Sequence, residues 1–127
     1  MVQKTKKTDK VWGAEYLIVN NGEYCGKRML LNKKARCSTH CHKDKLETFY
    51  VLSGAILLEL GCEEYLLGPG DVVTVNRNEY HRFTGLEESS FFEFSTVHQD
   101  SDSYRKTQSE ILSDEDFRSL LDQFNRE

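Results

Sequence analysis

Residues 38–54 read STHCHKDKLETFYVLSG. His40 and His42 lie two positions apart, Glu47 follows five residues after His42, and Gly54 closes an apolar run. Residues two apart on an extended strand share a face, so both imidazoles point the same way. Two of the chain's four histidines fall in this one stretch. Paired imidazoles beside a carboxylate suit a borderline divalent metal such as Mn, Fe, Ni or Zn. The bland alternative is a surface strand whose histidines are solvated.

Outward from this stretch the chain reads as strands separated by turn residues. Upstream, residues 15–19 are β-prone, Asn20-Asn21-Gly22 is a strong turn signal, and residues 24–31 form the next run. Lys43-Asp44-Lys45 makes a polar bend between the histidines and the apolar strand that starts at Glu47. Downstream come the runs 55–60, 64–67, 71–75, 80–83 and 91–97. Gly61, the triplet Gly68-Pro69-Gly70 and the polar loop 76–79 separate the first four. Roughly seven to nine short strands with no long helical pattern between them indicate an all-β sandwich or barrel.

The two ends differ from this pattern. Residues 1–10, MVQKTKKTDK, are polar and basic and read as a flexible arm, leaving residues 11–106 as the barrel. Residues 107–127 are expected to be a helical segment. There Ser113 with Asp116 resembles a capping box, Leu112 and Phe117 occupy the staple positions, and Phe117, Leu120, Leu121 and Phe124 follow at helical spacing. Such a helix packs on the barrel exterior.

At 127 residues the chain is one domain by length. A net charge of −4 and the lack of a basic stripe argue against a nucleic-acid surface. The first ten residues hold no apolar segment of the kind a secretion signal needs, and no apolar run is long enough for a spanning helix. The expectation is a soluble, cytoplasmic protein with no membrane partner. In that setting Cys25, Cys37, Cys41 and Cys62 are free thiols. Alternation places Cys37 and Cys41 on the strand face opposite His40 and His42, and no pair has the C-x2-C spacing of structural zinc sites.

The pattern His40-x-His42-x4-Glu47-x6-Gly54 resembles the first signature of the cupin superfamily, and the stretch from Gly70-Asp71 through His81 resembles the second. In the second, Asn76 and Asn78 stand where the family has Pro and Gly. Asn tolerates a left-handed backbone, so Asn78 can replace that Gly. The resemblance implies a single-domain jelly-roll barrel with one divalent transition metal on His40, His42, Glu47 and His81. Mn is the first choice, with Zn, Fe and Ni as alternatives.

Finer matches run through Trp12-Gly13-x-Glu15, Tyr24-Cys25-Gly26-Lys27, Glu47 to Leu52, His81-Arg82-Phe83, Glu93-x-Ser95-Thr96-x-His98 and Asp102-Ser103-Tyr104-Arg105. Together they resemble the D-lyxose-isomerase type of cupin, and are also similar to cupin modules found with sialic-acid-type sugar synthases. That likeness implies a sugar substrate, a homodimer, and a metal-dependent aldose–ketose isomerisation with Lys45 and Glu93 as catalytic residues. The alternative is a non-catalytic, metal- and sugar-binding accessory cupin in sugar biosynthesis.

The residues themselves bear on these roles. Glu93 interrupts the aromatic run 91–94, where a partly buried carboxylate needs a partner or a function. Lys45 otherwise reads as a solvated bend lysine. Arg82 follows His81 directly and by alternation points away from the metal, whereas Phe49 and Val51 share the strand face of Glu47. His98 reads as a rim residue or a hydrogen-bonded core histidine. Lys27, Arg28 and Lys45 are the cations that a phosphorylated substrate would need in the cavity.

Overall fold

The computed structural model describes residues 1–124, which form thirteen strands and one helix. In chain order the strands are β1 (Lys6–Lys10), β2 (Gly13–Asn20), β3 (Cys25–Leu31), β4 (Ala35–Arg36), β5 (His40–Cys41), β6 (Glu47–Ser53) and β7 (Ile56–Leu60). They continue as β8 (Glu63–Leu67), β9 (Val72–Val75), β10 (His81–Gly85), β11 (Ser89–Ser95), β12 (Tyr104–Arg105) and β13 (Glu110–Ile111), before α1 (Asp114–Phe124). All pairings are antiparallel, and the strands form two sheets. One has the order β1-β2-β3-β11-β6-β9. In the other, β10 pairs β7 on one side and the short strands β4 and β5 on the other. The strand pattern called for an all-β sandwich or barrel, and the jelly-roll arrangement is the one the cupin resemblance implied.

The six-stranded sheet turns a graded face inward. In β6, the alternating residues Glu47, Phe49 and Val51 are buried, as are Phe91 and Glu93 of β11 and Lys27 and Met29 of β3. Register stacks them in rows: Glu93 lies opposite both Lys27 and Phe49, and Phe91 opposite both Met29 and Val51. One end of the barrel interior is therefore apolar and the other charged. At the apolar end Phe49, Phe83 and Phe91 pack with ring centroids 4.7, 5.7 and 5.0 Å apart. Such aromatic pairs contribute about 0.5–1.5 kcal/mol each beyond the area they bury. Ile56, Leu58 and Val75 complete this core.

Gly54 earns its place in the turn between β6 and β7. Its φ is +93°, and a Cβ there would lie 2.1 Å from Ser89 Oγ and 2.5 Å from the Glu88 carbonyl oxygen. Asn78 has φ +67°, the left-handed conformation expected of it in the loop before His81.

The chain ends are more structured than the sequence pattern suggests. Lys6–Lys10, within the stretch read as a flexible arm, pairs with β2 along its full length. All five of its residues are exposed, so no apolar alternation marks it; its partners are backbone groups. Residues 107–113 of the expected helical segment are not helical, and within them β13 pairs with β4. The helix starts only after Ser113, whose Oγ accepts the Asp116 N–H at 3.1 Å, and Asp114, Glu115 and Asp116 complement its dipole. Leu112 and Phe117 are buried, and Leu112 N–H bonds the Lys34 carbonyl at 2.8 Å, docking the tail on the barrel. Residues 125–127 of the expected segment lie outside the described residues. No described helix is long and apolar enough to cross a membrane.

Candidate metal centre

His40 in β5 and His81 in β10 are direct cross-strand partners, which places both imidazoles on the inner face of one sheet. Their ring centroids are 4.4 Å apart, and His42 lies 5.1 Å from His40. The three side chains offer donor nitrogens that all lie within 4.8 Å of one another. Glu47, at the start of β6, approaches from the opposite sheet. Its Oε2 lies 3.1 Å from His81 Nε2 and 3.5 Å from His42 Nε2. The centre therefore sits between the sheets, and neither sheet alone contains it.

Each imidazole is oriented through its other nitrogen. Nδ1 of His40 contacts the Ser38 carbonyl at 2.8 Å, Nδ1 of His42 the Asp102 carbonyl at 2.6 Å, and Nδ1 of His81 the Glu79 carbonyl at 3.1 Å. A carbonyl only accepts, so Nδ1 carries a proton in all three rings and Nε2 is the nitrogen turned toward the centre. Burial, and then the neighbouring His81, push His40 down to about 3, so it is neutral at physiological pH. Burial, with the Lys45 charge behind it, also pushes His42 down.

These tautomers make a divalent cation fit the site. Among the described residues Glu47 Oε2 is buried without a hydrogen-bond partner, and it faces the Nε2 atoms of His42 and His81. An oxygen and two nitrogens held that close need positive charge between them, which a proton on Nε2 or a metal cation can supply. Ligand atoms about 2.1 Å from one ion are ~3.0 Å apart at octahedral angles and ~3.4 Å apart at tetrahedral ones; the His81 separation falls within that range and the His42 separation about 0.1 Å beyond it. The donor set of three imidazoles and a carboxylate accepts several first-row ions.

Beside the centre lies a group of buried charges. Lys45 Nζ is 3.3 Å from Glu47 Oε1, 3.2 Å from Glu93 Oε2 and 3.2 Å from His98 Nδ1. Lys45 and Glu93 are each only 3% exposed. Burial pushes Glu93 up against the pull of Lys45. For Lys45, burial works against the charge, but Glu93 and Glu47 outweigh it and raise the ammonium above the usual lysine range. His98 Nε2 lies 2.9 Å from Asp100 Oδ1, which leaves Nδ1 to accept from Lys45.

All of these side chains line one open cavity of about 960 Å³, which also contains Trp12, Lys27 and Phe49. Lys27 pairs with Glu15 at 3.2 Å. Arg28, grouped with it in the sequence reading, instead covers the Tyr16 ring at 4.4 Å and is absent from the cavity lining. Arg82 points away from the centre as alternation requires, and its guanidinium binds Glu59 at 2.9 and 3.0 Å.

Cys37 departs from the expected alternation, because it lines the same cavity as the histidines. Residues 37–39 are not in regular strand, so the period-two rule fails between β4 and β5. The Cys37 sulfur accepts the Phe83 N–H at 3.2 Å, and burial pushes the thiol up to about 11. It is a packed thiol, outside the histidine cluster.

The role of Asp102 escaped the sequence reading. Its carboxylate accepts the backbone N–H groups of Lys43, Asp44 and Lys45, and its carbonyl orients His42. Sixty residues separate it from the histidine it orients, and no local spacing signals the contact.

The family model for the cupin domain matches residues 27–94, more than half of the chain. The chain is a cupin. No curated protein matches it in sequence. Among solved structures, KdgF from Halomonas sp. superposes with a TM-score of 0.70 at 20% identity, over 76% of this cupin and 89% of that chain. The nucleoside dehydratase Pac13 gives 0.71 at 15% identity, over 85% and 89%. The capsular polysaccharide assembling protein CapF from Staphylococcus aureus gives 0.72 at 15% identity, over 82% of this cupin but 34% of that chain. This cupin thus corresponds to about a third of CapF. At these identities the likeness is one of fold.

Proposed function

We propose that this cupin is a metal-dependent aldose–ketose isomerase of the D-lyxose/D-mannose type, working through an enediol. The observation that carries the reading is the buried Lys45–Glu93 pair, 3.2 Å apart, immediately beside Glu47. The ion, with Mn as first choice and Zn, Fe or Ni as alternatives, would be held by His40, His42, His81 and Glu47. Once bound it would supply Lewis-acid stabilisation of negative charge on the sugar oxygens.

The chain's own residues supply the proton transfers. Glu93, raised by burial, takes the proton from C2 of the aldose and returns it to C1. Lys45, held as an ammonium, gives a proton to the C1 carbonyl oxygen as charge develops there and recovers one from the C2 hydroxyl, so that O1 gains the proton O2 loses. Both side chains are almost wholly buried, which strengthens these interactions.

Metal-loaded protein incubated with D-lyxose and with D-mannose should produce the corresponding 2-ketoses, followed by carbon NMR. The competing reading is a metal- and sugar-binding accessory cupin. One observation favours it: all three Lys45 ammonium hydrogens have acceptors in Glu47, Glu93 and His98, leaving none directed at a ligand. Protein that binds both metal and sugar yet interconverts no aldose supports that reading and overturns the isomerase.

We also propose a homodimer formed through the outer face of the six-stranded sheet. Phe92 there lies opposite Tyr50, which lies opposite Val72, and Phe94 and Leu52 extend the apolar patch. Isologous pairing would cover this face on both copies. Light scattering should give twice the chain mass, and Val72→Glu with Phe94→Glu should give a monomer. A monomeric wild-type protein would remove the proposal. A cytoplasmic setting suits the free thiols Cys25, Cys37 and Cys41.

A further inference from the structure

The segment 96–106, which follows the last long strand, meets the histidine segment at Thr96 and again from Asp102 to Lys106. The Leu46 N–H bonds Thr96 Oγ1, and the Thr96 N–H returns a bond to the Leu46 carbonyl, both at 3.0 Å. Tyr104 pairs with Cys41 and Arg105 with His40, and the Lys106 N–H reaches the Thr39 carbonyl at 2.8 Å. All of this lies beyond residue 94, where the match to the cupin domain ends.

Asp102 is the centre of that contact. It is 5% exposed and, among the described residues, forms no ion pair with a Lys or Arg. Its carboxylate is satisfied by three successive backbone donors, Lys43 at 2.8 Å, Asp44 at 3.1 and 3.2 Å, and Lys45 at 3.0 Å. A buried carboxylate needs such compensation, and the three donors fix the bend in return. The Asp102 carbonyl meanwhile takes the His42 Nδ1 proton at 2.6 Å, and Ser103 Oγ lies 3.5 Å from the same nitrogen. From the other side, the Asn78 N–H binds the His42 carbonyl at 2.7 Å and Arg77 Nε binds the Asp44 carbonyl at 2.8 Å. The bend carrying both His42 and Lys45 is therefore clamped between the 76–80 loop and Asp102.

We propose that Asp102 is the positioning residue of this metal centre, and that binding of a divalent ion is coupled through it to the packing of segment 96–106 against the 39–46 stretch. The proposal rests on the reading that His40, His42 and His81 hold a metal. It adds that the orientation of His42 is imposed by a residue outside the matched domain. Linkage makes the coupling reciprocal: a clamp that improves the site must itself be tightened when the site fills.

The test compares the full-length wild type with Asp102→Ala and Asp102→Asn, using Zn²⁺ alone as the probe in chelator competition. Asp102→Ala keeps the carbonyl that orients His42 but removes the carboxylate that holds the 43–45 bend against it, so the carbonyl is no longer fixed beside Nδ1. The expected loss of metal affinity is about 10-fold, the lower end of what losing an orienting partner outright costs. Asp102→Asn should weaken binding less, because an amide keeps one acceptor oxygen for the bend. Hydrogen exchange should show Zn²⁺ slowing amides 43–45 and segment 96–106 in the wild type, and doing so less in Asp102→Ala. The visible spectrum of the Co²⁺-loaded protein should also shift in the variant, which a mere loss of stability would not cause.

Zn²⁺ affinity within about twofold of wild type in both variants, far short of the effect expected of an orienting partner, overturns the proposal while leaving the metal site standing. A wild type that binds no Zn²⁺ or Co²⁺ removes the metal reading, and the proposal with it. If Asp102→Ala does not fold, Asp102→Asn decides alone by the same affinity criterion.

Discussion

Replacing His40 and His42 together by Ala should abolish stoichiometric metal, from one ion per chain to none measurable by elemental analysis after gel filtration. The two residues supply two of the three Nε2 lone pairs that converge on the centre. His81 and Glu47 would remain, but a two-ligand remnant does not hold a first-row ion through purification. Even the loss of an outer partner of a metal-binding histidine costs about 10- to 100-fold in affinity, so losing two ligands costs far more. The fold should survive, because the Phe49–Phe83–Phe91 core lies at the other end of the barrel interior. A melting curve on the metal-free proteins checks this. Retained stoichiometric metal in the double variant would refute the site.

Glu93→Gln should lower aldose turnover by about 10²- to 10⁴-fold while leaving metal content unchanged, the range that a positioned general base contributes. The amide has the shape of the carboxylate and can still accept from Lys45, so the barrel interior keeps its packing. What it loses is the capacity to take a proton. The pH dependence of the wild type carries the same signature. Burial raises Glu93, and only its ionised form can act as base. Turnover should therefore fall as pH drops through a value above the usual glutamate range, and that acid limb should be missing from the residual activity of Glu93→Gln. Full turnover by Glu93→Gln would reject the base assignment.

The residues that carry these predictions were legible to different degrees. His40, His42 and Glu47 stand out because ligand chemistry and strand periodicity coincide within one short stretch. His81 could be placed only by resemblance, since nothing local ties it to His40; the structure makes them cross-strand partners. Glu93 was conspicuous as a carboxylate inside an aromatic run. Lys45 was not, because a lysine in a polar bend reads equally well as solvated. Its burial depends on Glu47, Glu93 and His98, which come from three separate stretches of chain.

Where the sequence reading went astray, local rules had been extended past their range. Cys37 was assigned a face by alternation, but residues 37–39 leave regular strand geometry. Lys6–Lys10 was read as an arm because it has no apolar face, although backbone pairing alone makes it a strand. The helix cap at Ser113 stands as read, but labelling all of 107–127 a helical segment overlooked β13 at Glu110–Ile111, which has no apolar alternation to mark it.

By itself, the sequence determined the all-β class, the inward face of β6 and the identity of the ligand types, because strand periodicity and donor chemistry are properties of neighbouring residues. Only the tertiary structure decided which nitrogen of each histidine faces the centre. It alone brought Lys45 and Glu93 together across 48 residues and clamped His42 with Asp102. Those contacts depend on two sheets closing over one cavity, and no local pattern encodes the distance between sheets.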